Sequence, residues 1–224
     1  MPFILLAWQS LMKIEGNYSL SNLTLDYWLG RGSGTVPPGL LRSPIVGQIL
    51  QNTLKVALFS GLICAFLGLL IGYGVVRLRG RLLSRLLEQV SFLPYLIPSI
   101  AFGAIYLTMF ARPVGPIPTL YGTLTILVLI SSVKYLPMAA RTGTAAMIQV
   151  GQELEEAAMV QGAGWWRRFR RVLLPLTKTG AVTGFLFTFI SAMKELSLVI
   201  ILVTPKTATL NTLTYRYAEQ GFSQ

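Results

Sequence analysis

Residues 153–175, ELEEAAMVQGAGWWRRFRRVLLP, concentrate the side chains of this sequence that could do chemistry. Glu153, Glu155 and Glu156 come first. Ala157, Ala158, Gly162 and Gly164 follow, then Trp165, Trp166, Arg167, Arg168, Arg170 and Arg171, with Pro175 at the close. The chemistry that suits this mixture is recognition rather than bond making. The chain has no histidine, and Cys64 is its single cysteine, so a disulfide framework and a Cys/His metal site are both excluded within it. It carries no Gly-Lys-Ser/Thr phosphate loop. No catalytic residue, metal ligand or cofactor is expected.

The elements that must position these groups are two short helices and a hinge. The first begins with acids, which the positive end of a helix dipole favours. Gly162 and Gly164 interrupt it, because glycine is costly inside a helix and natural at its C-terminal cap. The second starts at about Trp165, where Trp165, Phe169, Val172 and Leu176 recur at helical spacing as an apolar stripe. Arg167, Arg168 and Arg171 lie off that stripe. Arg167 and Arg171 are four apart and repel unless an anionic partner is near.

The remainder of the chain is of a different kind. Of 224 residues, 53% are hydrophobic and 12% charged, with a mean hydropathy of +0.62. Soluble domains carry roughly twice that charged share, so an integral membrane protein is expected. Residues 2–12 are apolar but short of the about 20 residues a span needs. They do not read as a signal peptide, having neither a basic start nor a small-residue cleavage site. They are expected to be the outer end of a helix whose beginning lies upstream. Residues 13–47, with Asn17, Asp26, Gly30, Gly32, Gly34, Pro37 and Pro38, read as a loop with a short helix near Asn22–Leu29.

Four spans are expected. The first, 50–76, opens on Asn52-Thr53 and holds Gly61, Gly68, Gly72 and Gly74, small residues that let helix backbones approach in lipid. The second, 89–111, carries Pro94 and Pro98, which predict a kinked or broken helix. A Pro-rich turn, Arg112–Pro118, precedes the third, about 119–136. After Pro137 a polar-edged helix, Ala139–Gln149, leads into the arginine-rich segment. The fourth is about 179–203, followed by a polar tail to Gln224.

Glu156-Ala157-Ala158, three residues, Gly162, nine residues, then Val172-Leu173-Leu174-Pro175 resembles the EAA loop of ABC-importer permeases. That pattern is EAA, three residues, Gly, nine residues, Ile, any residue, Leu-Pro; Val172 stands for the isoleucine. Asn52-Thr53 also resembles the opening of the permease core in this family. The resemblance covers about Asn52 to the C-terminus. It implies an all-α, polytopic transmembrane helical bundle, the permease core of a type I ABC importer, multi-pass in the bacterial inner membrane. In the family the loop is a coupling helix that docks in a cleft of a cytoplasmic ATPase dimer. That assigns ATPase coupling to Glu153, Glu156, Ala157, Ala158, Gly162, Arg167, Arg168 and Pro175. The other implied partners are a periplasmic solute-binding protein and a second permease half or subunit. The resemblance divides the chain into residues 1–47, a helix end plus periplasmic loop, and residues 48–224, the permease core, expected to stop before the family's closing helix. It suggests one half of a fused double permease. An interfacial anchoring helix would explain the tryptophans and arginines, but not Glu156, Ala157 and Gly162 at this spacing.

The distribution of charge bears on sidedness. The net charge of +11 sits mostly beside apolar spans, a positive-inside pattern rather than a nucleic-acid surface. With alternating spans, ten basic residues share one side: Arg77, Arg79, Arg81, Arg85, Arg141, Arg167, Arg168, Arg170, Arg171 and Lys178. Six lie opposite: Lys13, Arg31, Arg42, Arg112, Lys206 and Arg216. The arginine-rich segment is therefore expected in the cytoplasm.

Lys194 and Glu195 fall near the middle of the fourth span, where charge must face protein or water. They are expected either as a structural pair or, with Pro94 and Pro98, along the translocation path. Lys134 and Lys55 lie nearer span ends and can snorkel. Met193-Lys194-Glu195-Leu196 resembles the ferric-iron permeases, so ferric iron is the expected solute. Polyamine, thiamine, sulfate, phosphonate and sugar importers share the same loop. A secondary transporter and a membrane anchor are the rival classes.

Overall fold

The computed structural model describes residues 2–219, except 15, 32–38, 114 and 117. Gly32, Gly34, Pro37 and Pro38 of the expected loop, two positions of the Pro-rich turn and residues 220–224 of the tail therefore lie outside the described residues. Among the described residues the regular elements are helical, apart from one isolated bridge between Met12 and Leu23, and the fold is all-α. The chain divides into two compact units, residues 1–53 with 208–224 and residues 54–207.

In the first unit, α1 (Pro2–Gln9) and the single turn α2 (Asp26–Leu29) are joined by irregular chain. Buried Asn22 fixes that chain. Its amide nitrogen donates to the carbonyls of Ile14 and Asn17, both at 2.8 Å, and its Oδ1 accepts from the Ile14 N–H at 3.1 Å. One side-chain amide thus supplies the hydrogen bonds that a ladder would otherwise provide. Helix α3 (Pro44–Arg77) starts in this unit with proline in its first turn, where the missing N–H costs nothing. Asn52 donates to the Ala208 carbonyl at 3.1 Å, and Thr53 Oγ1 accepts the Leu210 N–H at 2.8 Å. Leu210 opens the last helix, Leu210–Glu219, whose first N–H groups have no partner within the helix. The Asn-Thr pair at the start of the first span therefore holds the chain that follows the fourth. The tail expected to lack a closing helix holds this one, at ten residues about half the length a span requires.

The second unit contains the rest of α3 and six further helices. They are α4 (Leu82–Leu96), α5 (Ser99–Phe110), α6 (Leu124–Ile148), α7 (Gln152–Val160), α8 (Trp165–Leu176) and α9 (Lys178–Lys194). Only α3 and α6 are, among the described residues, single helices long and apolar enough to cross a membrane. The pairs α4–α5 and α8–α9 meet that condition together, but they bend by 101° and 75° at their junctions.

Three expected boundaries change. The break in the second span is present, and it lies at Ile97-Pro98, between α4 and α5. Pro137 does not end a helix: α6 runs through it for 25 residues. A mid-helix proline costs about 3 kcal/mol. The cost is tolerated here because α6 is the most buried helix of the unit, Pro137 included, with Ile126, Leu127 and Ile130 fully covered. The fourth span is not a helix to residue 203. It stops at Lys194, and residues 195–203 form turns. Lys194 is thus an exposed C-terminal residue that complements the helix dipole, and Glu195 caps the end; neither is at mid-span.

Small residues set the packing around α6. A Cβ at Gly68 or Gly72 of α3 would strike the backbone of Ala139, Gly143 or Thr144, and one at Gly143 would strike the backbone of Gly68. On the other side of α6, Gly184 of α9 lies against Thr142 and Ala139. Helices meeting in lipid gain little from apolar burial and rely on this close contact. One apolar cluster (Val56, Phe102, Ile126, Leu127, Ile130, Leu198, Val199, Leu202) fills the α5–α6 end of the unit. A second (Leu69, Met147, Val150, Phe169, Leu173) supports α8.

Candidate functional site

Helix α7 starts after Gly151, with Glu153 and Glu155 in its first turn. It ends in a Schellman motif. The Gly162 N–H donates to the Met159 carbonyl at 2.8 Å, and the Ala163 N–H to the Ala158 carbonyl at 3.0 Å. Gly162 takes φ +76° to make this possible. A Cβ there would meet nothing within 4 Å, so the requirement for glycine is one of backbone conformation and not of space. The chain then re-enters a helix at Trp165.

Helix α8 is seated by aromatics. Phe169 is buried, stacked by Trp165 and Trp166 at centroid distances of 5.3 and 6.0 Å, and met edge-on by Phe66 of α3 at 6.4 Å. Tyr73 of α3 meets Trp165 edge-on at 6.0 Å. The buried stripe reads Phe169, Leu173 and Thr177 rather than Phe169, Val172 and Leu176; Val172 is half-buried, while Leu176 and Trp165 are exposed. The physical reason is a π-helical turn at Phe169–Leu173. It adds a residue to the turn and moves the inward face on by one position.

The electrostatic centre is Glu155, 4% exposed. One carboxylate oxygen accepts the Tyr73 hydroxyl at 2.8 Å and faces Arg168 Nε at 3.4 Å; the other accepts Arg77 Nε at 2.9 Å. Arg168 also donates to the Ala163 carbonyl at 2.9 Å. One carboxylate therefore ties α7 to the end of α3 and to α8 and braces the glycine turn between them. A buried pair of this kind adds little net stability, but losing one partner costs about 3–5 kcal/mol.

The sequence reading favoured Glu156, and the structure gives Glu155 the inward position. The motif spacing marks Glu156 and is silent on which carboxylate turns inward; that choice is made by Tyr73, Arg77 and Arg168 around Glu155. Glu153, Glu156 and Ala157 are exposed, and Ala158 is half-buried. Arg167, Arg170 and Arg171 are exposed, with no ion pair among the described residues, whereas Arg168 is half-buried in the Glu155 pairing. Pro175 is exposed in the last turn of α8. The segment also exposes Leu154, Met159 and Val160 on α7 and Trp166 at the start of α8, with Val160 89% exposed. Exposed apolar side chains thus accompany exposed acids and exposed arginines along this segment, a ridge whose base is held by Glu155 and Phe169.

Pro94, Pro98, Lys194 and Glu195 are not part of this surface. Pro94 lies in the last turn of α4 and Pro98 caps α5. Lys134, set aside in the sequence as a snorkelling residue, is buried, and its Nζ donates to the carbonyls of Pro94, at 3.2 Å, and Ile97. Glu195 accepts from the Tyr135 hydroxyl and from the Leu198 N–H. Only the discontinuity of the two helices, which the prolines signal for one and nothing signals for the other, would have pointed to these contacts.

Residues 8–222 match the family described as "Binding-protein-dependent transport system inner membrane component". The chain is 33% identical over 162 residues to a putative ferric transport system permease protein, FbpB 1, of Haemophilus influenzae; the match covers 70% of this chain and 24% of that protein. It is 31% identical over 171 residues to a probable sulfate transport system permease protein, cysT, of Chlorokybus atmophyticus (72% of this chain, 58% of that one). It is also 31% identical over 172 residues to the trehalose transport system permease protein SugB of Mycobacterium tuberculosis (76% and 60%). The chain thus spans between about a quarter and three fifths of the length of these relatives. In fold it is similar to a chain of the MetNI methionine ABC transporter in inward-facing conformations, with a TM-score of 0.61 and 23% identity over 78% of this chain and 82% of that one. It is similar as well to a bacterial ABC transporter involved in import of alginate, with a TM-score of 0.65 and 18% identity over 82% and 71%.

Proposed function

The chain belongs to the family of binding-protein-dependent transport system inner membrane components, and from that premise we propose that it is a membrane-spanning permease component of an ATP-driven ABC importer. It binds no nucleotide itself. The surface of α7 and the following turn docks on a cytoplasmic ATPase dimer, and the solute arrives on a periplasmic binding protein, with a second permease half or subunit completing the pathway across the inner membrane.

The observation that carries this reading is the contrast within one short segment. Glu155 and Phe169 are fixed inward on α3, while Glu156, Ala157, Val160 and Arg167 are exposed. A rigid base under an exposed ridge transmits a push or pull, which a flexible loop would absorb. Closure of the ATPase dimer would move α7–α8 as a body, and because α8 leads directly into α9, the motion reaches the spans as a two-state change.

Ferric iron is the solute we assign. Support comes from the Lys194-Glu195-Leu196 resemblance and from the ferric permeases among the relatives. The test is uptake by cells carrying Glu156→Lys or Gly162→Pro at normal membrane abundance. Both variants should lose uptake of radiolabelled ferric iron while inserting normally. Unchanged uptake in either removes the coupling assignment. Wild-type cells that take up sulfate and not iron through this system would replace the solute and leave the coupling role standing.

A further inference from the structure

Two helix discontinuities, the bend between α4 and α5 and the end of α9, are held by neighbouring residues of one helix. At the first, α4 ends at Leu96 and α5 starts at Ser99, at 101° to it. The last carbonyls of α4 have no helical donor, and Pro98 has no N–H to offer. Lys134 fills the gap: its ammonium donates to the carbonyls of Pro94 and Ile97 and lies 5.6 Å from the ring centre of Phe102 in α5. It touches both arms of the break.

At the second interruption α9 ends at Lys194 and the chain turns. Glu195 caps those turns by accepting the Leu198 N–H at 2.9 Å, and it also accepts the hydroxyl of Tyr135. Lys134 and Tyr135 are adjacent on α6, so their side chains leave the helix about 100° apart and reach different neighbours. The two breaks also touch directly. Gly103 of α5 lies against the Leu198 carbonyl, where a Cβ would approach to 2.6 Å. The contacts form a closed ring: Lys134 to the α4–α5 break, Gly103 to Leu198, Leu198 to Glu195, Glu195 to Tyr135, and back along α6.

We propose that Lys134 and Tyr135 are positioning residues that lock the two helix breaks into a single hinge, so that neither break opens without the other. This goes beyond the coupling surface and does not depend on it. Uncoupled, the α4–α5 bend and the end of α9 would admit four combinations of open and closed states, whereas a locked pair admits two. That is the property an alternating pathway requires.

The test is hydrogen–deuterium exchange on the full chain in lipid nanodiscs, read in peptides covering residues 95–102 and 195–203. Lys134→Met removes the hydrogen bonds made to the first break, and Glu195→Gln alters those made at the second. Each leaves the other's hydrogen bonds in place, although the two charges also attract each other directly. Each is expected to accelerate exchange by about threefold or more in both peptides, a size that coupled contacts carry, while peptides from α7 stay unchanged. Tyr135→Phe, which removes one oxygen, should do the same, and Lys134→Arg should restore slow exchange. Acceleration confined to the peptide that the substituted residue touches would overturn the proposal. So would a uniform rise that includes α7, or failure of all three variants to accumulate in the membrane, since either would make these contacts a general requirement for folding.

Discussion

Glycine at position 162 isolates one physical effect. Its φ of +76° is a region that residues with a Cβ enter at a cost of about 1–2 kcal/mol. No atom stands where that Cβ would go, so the cost is free of any clash. Gly162→Ala should therefore lower the melting temperature of the purified chain, and Gly162→Asn should lower it less, because asparagine visits this region more readily. A reversal of that order would mean that something other than backbone conformation selects glycine here. The neighbouring acids make a second contrast. Glu155→Ala leaves Arg77 and Arg168 facing each other without a counter-charge, and it should cost about 3–5 kcal/mol. Glu156→Ala removes an exposed carboxylate and should change stability by less than about 0.5 kcal/mol, its effect appearing in uptake instead. Paired melting and uptake measurements separate the anchor from the contact residue. In the sequence these two glutamates are alike, and the motif spacing favours Glu156. What distinguishes them is the arrival of Tyr73 and Arg77 from α3, a tertiary fact with no local signature. The role of Lys134 is illegible in the sequence for the related reason that the carbonyls it serves are freed only where α4 breaks.

The helices themselves were better marked. Long apolar runs identify α3 and α6, and the pair Pro94 and Pro98 announces a break that the structure places between α4 and α5. One proline-based boundary and the end of the fourth span came out differently, because sequence rules are local and burial and capping are not. Pro137 is carried inside α6 by packing on both sides, while α9 stops at Lys194 with no proline present, at a point where Glu195 can cap the turns that follow. The glycines of α3 signal close approach, but their partner Gly143 belongs to a segment that reads as polar. Packing at that contact can be tested by size. Gly143→Val would drive its side chain into the backbone of Gly68 and Leu69, forcing α3 and α6 apart. Overpacking of this kind costs about 1–3 kcal/mol or more. Gly164→Ala, where a Cβ meets nothing and φ is −63°, is the matched control and should be neutral. Membrane abundance and melting of the two variants decide it, and equal behaviour would show that the α3–α6 contact has slack.

At the scale of the whole molecule, the charge distribution and the exposed ridge lead to the same side of the membrane by different routes. With alternating spans, ten basic residues are expected on the side of the α3–α4 turn and the α7–α8 segment against six on the other, and such a bias favours the cytoplasm. Under the proposed coupling role the ridge takes a soluble partner, and a nucleotide-driven one would meet it on that side alone. Both requirements can be read in a single experiment. Val160 is the most exposed apolar residue of the ridge, and Cys64, the sole native thiol, is buried. In a Cys64→Ala background, Val160→Cys should react with a membrane-impermeant maleimide in inside-out vesicles and stay unreacted in right-side-out ones. Arg85→Cys, on the α4 side of the same face, should follow the same pattern. Adding the ATPase should then slow labelling at position 160 by about tenfold, as expected for a residue in the centre of a desolvated contact, and leave position 85 unchanged if the ridge alone is covered. Labelling of Val160→Cys in right-side-out vesicles would put the ridge on the wrong face for any nucleotide-driven partner. Correct sidedness without protection would keep the orientation and remove the ATPase from the ridge.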